Sequence, residues 1–173
     1  MTPSGGGDAL DRLVAEHIPH ALRFAIRLTG CVSWAEEIVQ EALYRAVRSR
    51  HTFRGQSQFR TWLFRIVVRA FYDSLNASPK NADSRGLADE PADPRGTDPA
   101  AALLADELSE LIAQRVSALP PRQREVLVLI AYEQRSPREV AEILDISESS
   151  VHANLHYARS RLRAELAPYL AEK

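Results

Sequence analysis

An all-α fold of two small helical domains joined by a flexible linker, the second containing a helix-turn-helix, is the architecture this sequence predicts. Three observations carry it. Apolar residues recur at helical spacing along most of the chain, and no run alternates with the period of a strand. The stretch "NASPKNADSRGLADEPADPRGTDP", from Asn76 to Pro99, holds four prolines and two glycines and few large apolar residues, the composition of a linker. Near the C-terminus, "RSPREVAEILDISESSVHANLHYARSRLRAEL" reads as helix, tight turn, helix. The expected division is 1–76, a linker over 77–98, and 99–173.

The first helix is expected from about Asp8 to Leu28, with Leu10, Leu13, Val14, Ile18, Leu22, Ala25 and Ile26 on one stripe. Pro19 should bend or split it, and Gly30 should end it. Ser33, with Glu36 three residues on, predicts a capping box for a second helix. That helix buries Ile38, Val39, Ala42, Leu43, Ala46 and Val47. "HTFRGQ" is a loop, and Ser57 opens a third helix with Phe59, Trp62, Leu63, Ile66, Val67, Ala70 and Leu75 inward. After the linker, Asp98 caps a helix that has Pro99 in its first position. Leu103, Leu104, Leu108, Leu111, Ile112 and Val116 form its stripe, and another helix follows Pro120 and Pro121. Ser136, Pro137 and Glu139 make a capped start, Asp145-Ile146-Ser147 the turn, and Ser147 the next cap.

Composition narrows the function. With 45% hydrophobic and 26% charged residues, the chain has the make-up of a folded globular protein. No apolar run approaches the ~18 residues that span a bilayer, so no membrane insertion is expected. "MTPSGGGDALDRL" lacks the basic-then-apolar order of a secretory signal, and Cys31 is the only cysteine. A cytoplasmic protein is the expectation.

The formal net charge of -1 conceals a strong segregation. From Arg45 through Tyr72 stand seven arginines and no Lys, Asp or Glu. Arg54, Arg60, Arg65 and Arg69 are interleaved with Phe59, Trp62, Phe64, Phe71 and Tyr72. Core packing accounts for some of these rings but gives no reason to exclude acids. Arginine beside aromatic faces suits single-stranded nucleic acid, through phosphate charge and base stacking. In the helix-turn-helix, Val140, Ala141, Leu144, Ile146, Val151 and Leu155 form a small core. The second helix then exposes Ser149, Ser150, His152, Ala153, Asn154 and His156, which a major groove would admit. Arg159, Arg161 and Arg163 follow, suited to phosphates.

Other chemistry is weakly supported. His17, His20 and Cys31 lack a fourth metal ligand, and His152 and His156 lack an intervening glutamate base. No nucleophile elbow, phosphate loop or catalytic carboxylate pair is present, so neither a cofactor nor an enzymatic activity is expected.

Two stretches, "WAEEIVQEALYRAVRSRHTFRGQSQFRTWLFRIVVRAFYDSL" and "LPPRQREVLVLIAYEQRSPREVAEILDISESSVHANLHYARSRLRAEL", resemble the two conserved domains of extracytoplasmic-function (ECF) sigma factors of the sigma-70 family. The resemblance implies binding to RNA polymerase core and to promoter DNA, with an anti-sigma factor as a further partner. It implies that Glu37, Gln40 and Glu41 meet the polymerase clamp. The loop from Phe53 to Phe59, with Arg54, Gln56 and Ser57, would capture a flipped base of the -10 element. Arg60, Arg65 and Arg69 would hold the opened strand, and the helix from Ser147 to Arg163 would read the -35 element. This chain departs from the family where Lys and Arg are usual in the recognition helix: His152, Asn154 and Tyr157 stand there. Two other readings stay open: a sigma mimic that titrates an anti-sigma factor, and an autonomous helix-turn-helix regulator. Neither calls for an acid-free strand-binding stretch.

Overall fold

Large rings set against alanines on neighbouring helices shape the first half of the molecule. The computed structural model describes residues 5–53, 58–77 and 99–170, with side chains over 12–53, 58–77 and 107–169. Helix α1 (Gly5–Thr29) buries Ala21, Phe24, Ala25 and Leu28. Helix α2 (Val32–Arg48) buries Trp34, Ala35, Ile38, Val39, Ala42 and Ala46. A 3₁₀ turn (Arg50–Thr52) leads to Phe53, and α3 (Phe59–Ala77) follows. The alanines let the helices approach closely enough for Phe24 to stack on Phe64 at 4.6 Å and for Trp34 to meet Phe71 at 5.6 Å. Each such ring contributes roughly 2–3 kcal/mol by leaving water. The Trp34 indole N–H donates to Ser74 Oγ at 2.7 Å, so its one polar atom is satisfied.

Three expectations for this half are corrected. Helix α1 runs through Pro19 unsplit. Pro19 is exposed, and the residues packed on either side, Val14 before it and Ala21 to Leu28 after it, outweigh the lost backbone bond. The N-cap of α2 is Cys31, not Ser33, and it makes no side-chain cap bond. Starting at Val32 places Trp34 and Ala35 on the buried stripe, and that burial decides the register. Ile18 and Val47, expected inside, are exposed. Gly30 ends α1 as expected: its φ of +69° suits glycine, and its N–H donates to the Ile26 carbonyl at 2.8 Å.

The second half contains α4 (Pro99–Ser117), α5 (Pro121–Ala131), α6 (Pro137–Leu144) and α7 (Glu148–Leu170). Helices α4, α5 and α6 all pack on α7, and Val126, Val128, Leu129, Val140, Ile143, Val151 and Ala158 fill the space between them. The capping box of α6 is complete. Ser136 Oγ accepts from the Glu139 N–H, and the Glu139 carboxylate accepts from the Ser136 N–H at 2.8 Å. That bond, with help from Arg135, holds the Glu139 carboxyl below the usual range. Asp145 ends α6 in the left-handed region at φ 54°, and Ser147 Oγ accepts from the Ser150 N–H at 3.2 Å. Among the described residues there is no strand. Leu10, Leu103, Leu104, Asp98, Ser57 and the stretch 78–98 lie outside the residues so described.

The two halves share one core. Helix α3 lies between them: it packs on α1 and α2 and also on α6, while α1 reaches α4 and α5. This explains why Thr61 and Val68, off the expected inward face of α3, are buried. With Arg65 and Tyr72 they form a second stripe at i, i+4, i+7 and i+11, turned towards the second half. Gly30 marks a close approach: a Cβ there would lie 3.0 Å from Ser117 Cβ.

Candidate nucleic-acid interface

Helix α7 presents its outer face as the helix-turn-helix spacing predicts. Val151, Leu155 and Ala158 are buried against the bundle, while Ser149, His152, His156, Arg159 and Arg161 are exposed and Ser150 and Asn154 half-buried. The Asn154 amide donates to the Ser150 carbonyl one turn back at 2.8 Å. Tyr157 stands out from the surface at 59% exposure, beside His156 at 5.8 Å between rings.

The arginines of α3 are differently placed. Arg69 is exposed and makes no salt bridge among the described residues. Arg65 donates to the Glu142 carbonyl at 2.8 Å and lies 3.4 Å from its carboxylate. Arg60 lies over the Phe64 ring, bonds to His20 Nδ1 and stands 3.8 Å from the Glu133 carboxylate. Two of the three expected strand-binding arginines are therefore turned to acidic groups of the second half. Phe53, Phe59 and Trp62 cluster at the start of α3 with ring centroids 5.4 Å apart. Phe53 is half-buried there; Arg54, Gln56 and Ser57 lie outside the described residues. On α2, Glu37, Gln40 and Glu41 are exposed, with Glu41 bonded to Arg45 at 2.6 Å.

Comparison with known proteins decides what this arrangement is. Residues 13–78 match the family model of sigma-70 region 2, and residues 109–162 match that of sigma-70 region 4. The chain is 31% identical over 172 residues to the ECF RNA polymerase sigma factor SigW of Bacillus subtilis, covering 94% of this chain and 91% of that one. The chain belongs to the ECF sigma factors. Among solved structures, CnrH in complex with the cytosolic domain of CnrY is 28% identical with a TM-score of 0.68, covering 95% of this chain and 92% of CnrH. The sigma factor RpoE of Bartonella quintana, in complex with the anti-sigma factor NepR, shares the fold: TM-score 0.73 at 24% identity, over 91% of this chain and 96% of that one.

The sigma factor's region 2 and region 4 meet through buried ionisable groups that sequence reasoning did not single out. Glu125 has no exposed surface; burial pushes its carboxyl up to about 7, against the pull of Arg122 at 3.1 Å and a hydrogen bond from Tyr72. Burial, then the Glu125 charge, raises the Tyr72 phenol to about 12. Burial also raises Glu133, opposed chiefly by Arg60 and Arg27. Arg124 donates to the Leu28 carbonyl at the end of α1, and Arg135 donates to Gln58 Oε1 at 3.1 Å. Across the two halves these partners are 53 to 106 residues apart in sequence, with Tyr72–Glu125 the shortest span and Arg27–Glu133 the longest. No local pattern signals them. Among the described residues no group of three or more His, Cys, Asp or Glu could hold a metal, and no helix is long and apolar enough to cross a membrane.

Proposed function

We propose that this sigma factor directs promoter-specific initiation by RNA polymerase core, through α7 at the -35 element and the Phe53-to-Arg69 surface at the -10 element. The observation that carries this reading is the pairing, in one chain, of an acid-free arginine–aromatic stretch from Arg45 to Tyr72 with a helix-turn-helix whose outer face is uncovered. Residues 1–76 would form the clamp- and -10-binding domain, 77–98 the connector and 99–173 the -35-binding domain. Glu37, Gln40 and Glu41 would dock on the clamp. Phe53, Arg54, Gln56 and Ser57 would receive a flipped base, and Arg60, Arg65 and Arg69 would hold the strand by charge and stacking. Ser149, Ser150, His152, Asn154, His156, Arg159 and Arg161 would face the -35 groove. The factor performs no chemistry of its own, works in the cytoplasm, and takes an anti-sigma factor as a partner, as RpoE does.

For Arg60 and Arg65 to reach DNA, α3 must part from Glu133 and Glu142. Productive binding then requires the two halves to separate. The test is transcription from a closed duplex and from a template already opened over the -10 region. Alanine at Arg60, Arg65 and Arg69 should reduce the first more than the second. Equal loss on both would assign these arginines to simple phosphate binding.

The sigma-mimic reading draws on the recognition helix, where His152, Asn154 and Tyr157 replace the usual cations. A mimic would bind an anti-sigma factor yet leave core polymerase inactive on every promoter.

A further inference from the structure

We propose that Tyr157 is a specificity-determining residue of α7, whose ring reads the 5-methyl group of a thymine in the base pair next to the one Asn154 reads. This contact rests on the assignment of α7 to the -35 element and adds a base reader to the residues placed there.

The placement follows from helix geometry. Val151, Leu155 and Ala158 are buried and Leu162 is half-buried, at i, i+4, i+7 and i+11, so one stripe of α7 faces the bundle. Tyr157 lies off that stripe and stands out at 59% exposure, the highest among the exposed large apolar side chains of the described residues. Its neighbours along the helix leave it prominent: Ala153 at i−4 and Ser160 at i+3 are small and exposed. Two other exposed tyrosines are differently engaged. Arg48 lies over the Tyr44 ring at 5.4 Å and bonds to its hydroxyl, and Arg27 lies over the Tyr132 ring at 4.5 Å. No guanidinium lies over the Tyr157 ring among the described residues, and the ring it meets, His156, is itself exposed. The recognition helix therefore holds an aromatic face out towards the groove.

A major groove shows donors and acceptors at every base pair, and its one apolar feature is the thymine methyl. The cation usual at this position suits guanine acceptors or phosphate; a tyrosine ring suits the methyl. Asn154 lies three residues earlier on the same side of α7, about 4.5 Å away along the helix axis. Successive base pairs are ~3.4 Å apart. With Asn154 on an adenine, the ring of Tyr157 falls on the adjacent pair. Arg161, one turn beyond, is exposed and suited to the flanking phosphate.

Deoxyuridine tests this contact, because it lacks only the methyl group of thymine. Holoenzyme assembled from core polymerase and the full chain first selects a -35 duplex from a randomised pool. Each thymine of either strand is then replaced in turn by deoxyuridine, and binding is measured by competition. The wild type should lose about fourfold at one thymine, the value of burying one methyl group. Tyr157→Phe, which keeps the ring, should show the same loss. Tyr157→Ala should melt as the wild type does, bind the selected site more weakly, and no longer distinguish thymine from deoxyuridine at that position. Arg161→Ala should weaken both duplexes by one factor and so keep the fourfold ratio. Four results overturn the contact: no thymine shows the loss, Tyr157→Ala retains it, Tyr157→Phe abolishes it and so assigns it to the hydroxyl, or Arg161→Ala abolishes it too. Each of these leaves α7 at the -35 element. Failure of the holoenzyme to select any -35 sequence overturns that assignment and the Tyr157 contact together.

Discussion

Glu125 has the most perturbed carboxyl near the junction of the two halves, and its behaviour with pH follows from burial. Its folded pKa of about 7 exceeds the ordinary 4.5, so the native protein keeps a proton that the unfolded chain has released. The stability this group contributes is complete below pH 4.5 and is lost as pH rises through about 7. Glu125→Gln keeps a neutral hydrogen-bonding side chain in place. The wild type should therefore lose stability relative to Glu125→Gln between pH 5 and 8, by up to roughly 3 kcal/mol. Thermal melts of both proteins across that range check this; a constant difference would show that Glu125 is ionised throughout. Trp62 is a second residue-scale case. It is half-buried against Phe53 and Phe59, and its indole N–H lies 3.4 Å from Thr52 Oγ1. Trp62→Ala should cost about 2 kcal/mol, less than a fully enclosed ring would. An unchanged melting temperature would make Trp62 a surface residue kept for binding alone.

At the scale of elements, local chemistry was legible wherever one side chain acts on its own backbone. Ser136 and Glu139 predicted a capping box and form one, and Asp145 and Ser147 make the turn expected of them. Ser136→Ala should cost about 1 kcal/mol of stability, measurable by denaturant titration. Ser33 shows the limit of the same reasoning: its spacing to Glu36 was right for a cap, but burial of Trp34 and Ala35 set the start of α2 two residues earlier. Helix α3 shows another limit. Its inward stripe was legible, but the second stripe through Thr61, Arg65, Val68 and Tyr72 looks like an ordinary surface until α6 packs on it and Arg122 and Glu125 of α5 meet Tyr72. In α7, the Asn154 amide is held by the Ser150 carbonyl and must leave that bond to pair with adenine. Asn154→Ala should relax preference at one -35 position, costing ~1–3 kcal/mol at the preferred base and little at the others. Binding measured over single-base variants of the site would show it; uniform weakening would mean that Asn154 reads no base.

At the scale of the molecule, the sequence divided the chain into two helical halves but did not reveal that they dock. The reason is physical. Arg65 with Glu142, Tyr72 with Glu125 and Arg135 with Gln58 are pairs whose members each sit on a helix or turn that is locally complete without the other. Periodicity records which face of a helix is apolar and says nothing about which distant charge will meet it. The docked form should scatter as one compact body, with a radius of gyration of about 16 Å for a chain of this length. The central claim is that this docked protein, once opened, places core polymerase at promoters. Run-off transcription with purified core polymerase, on pooled promoter fragments with mapping of transcript 5′ ends, tests it most directly. The account predicts discrete start sites that appear only when this chain is added and weaken when Arg65 and Arg69 are replaced by alanine. Binding to core polymerase or to an anti-sigma factor, with no chain-dependent start on any fragment, would contradict it.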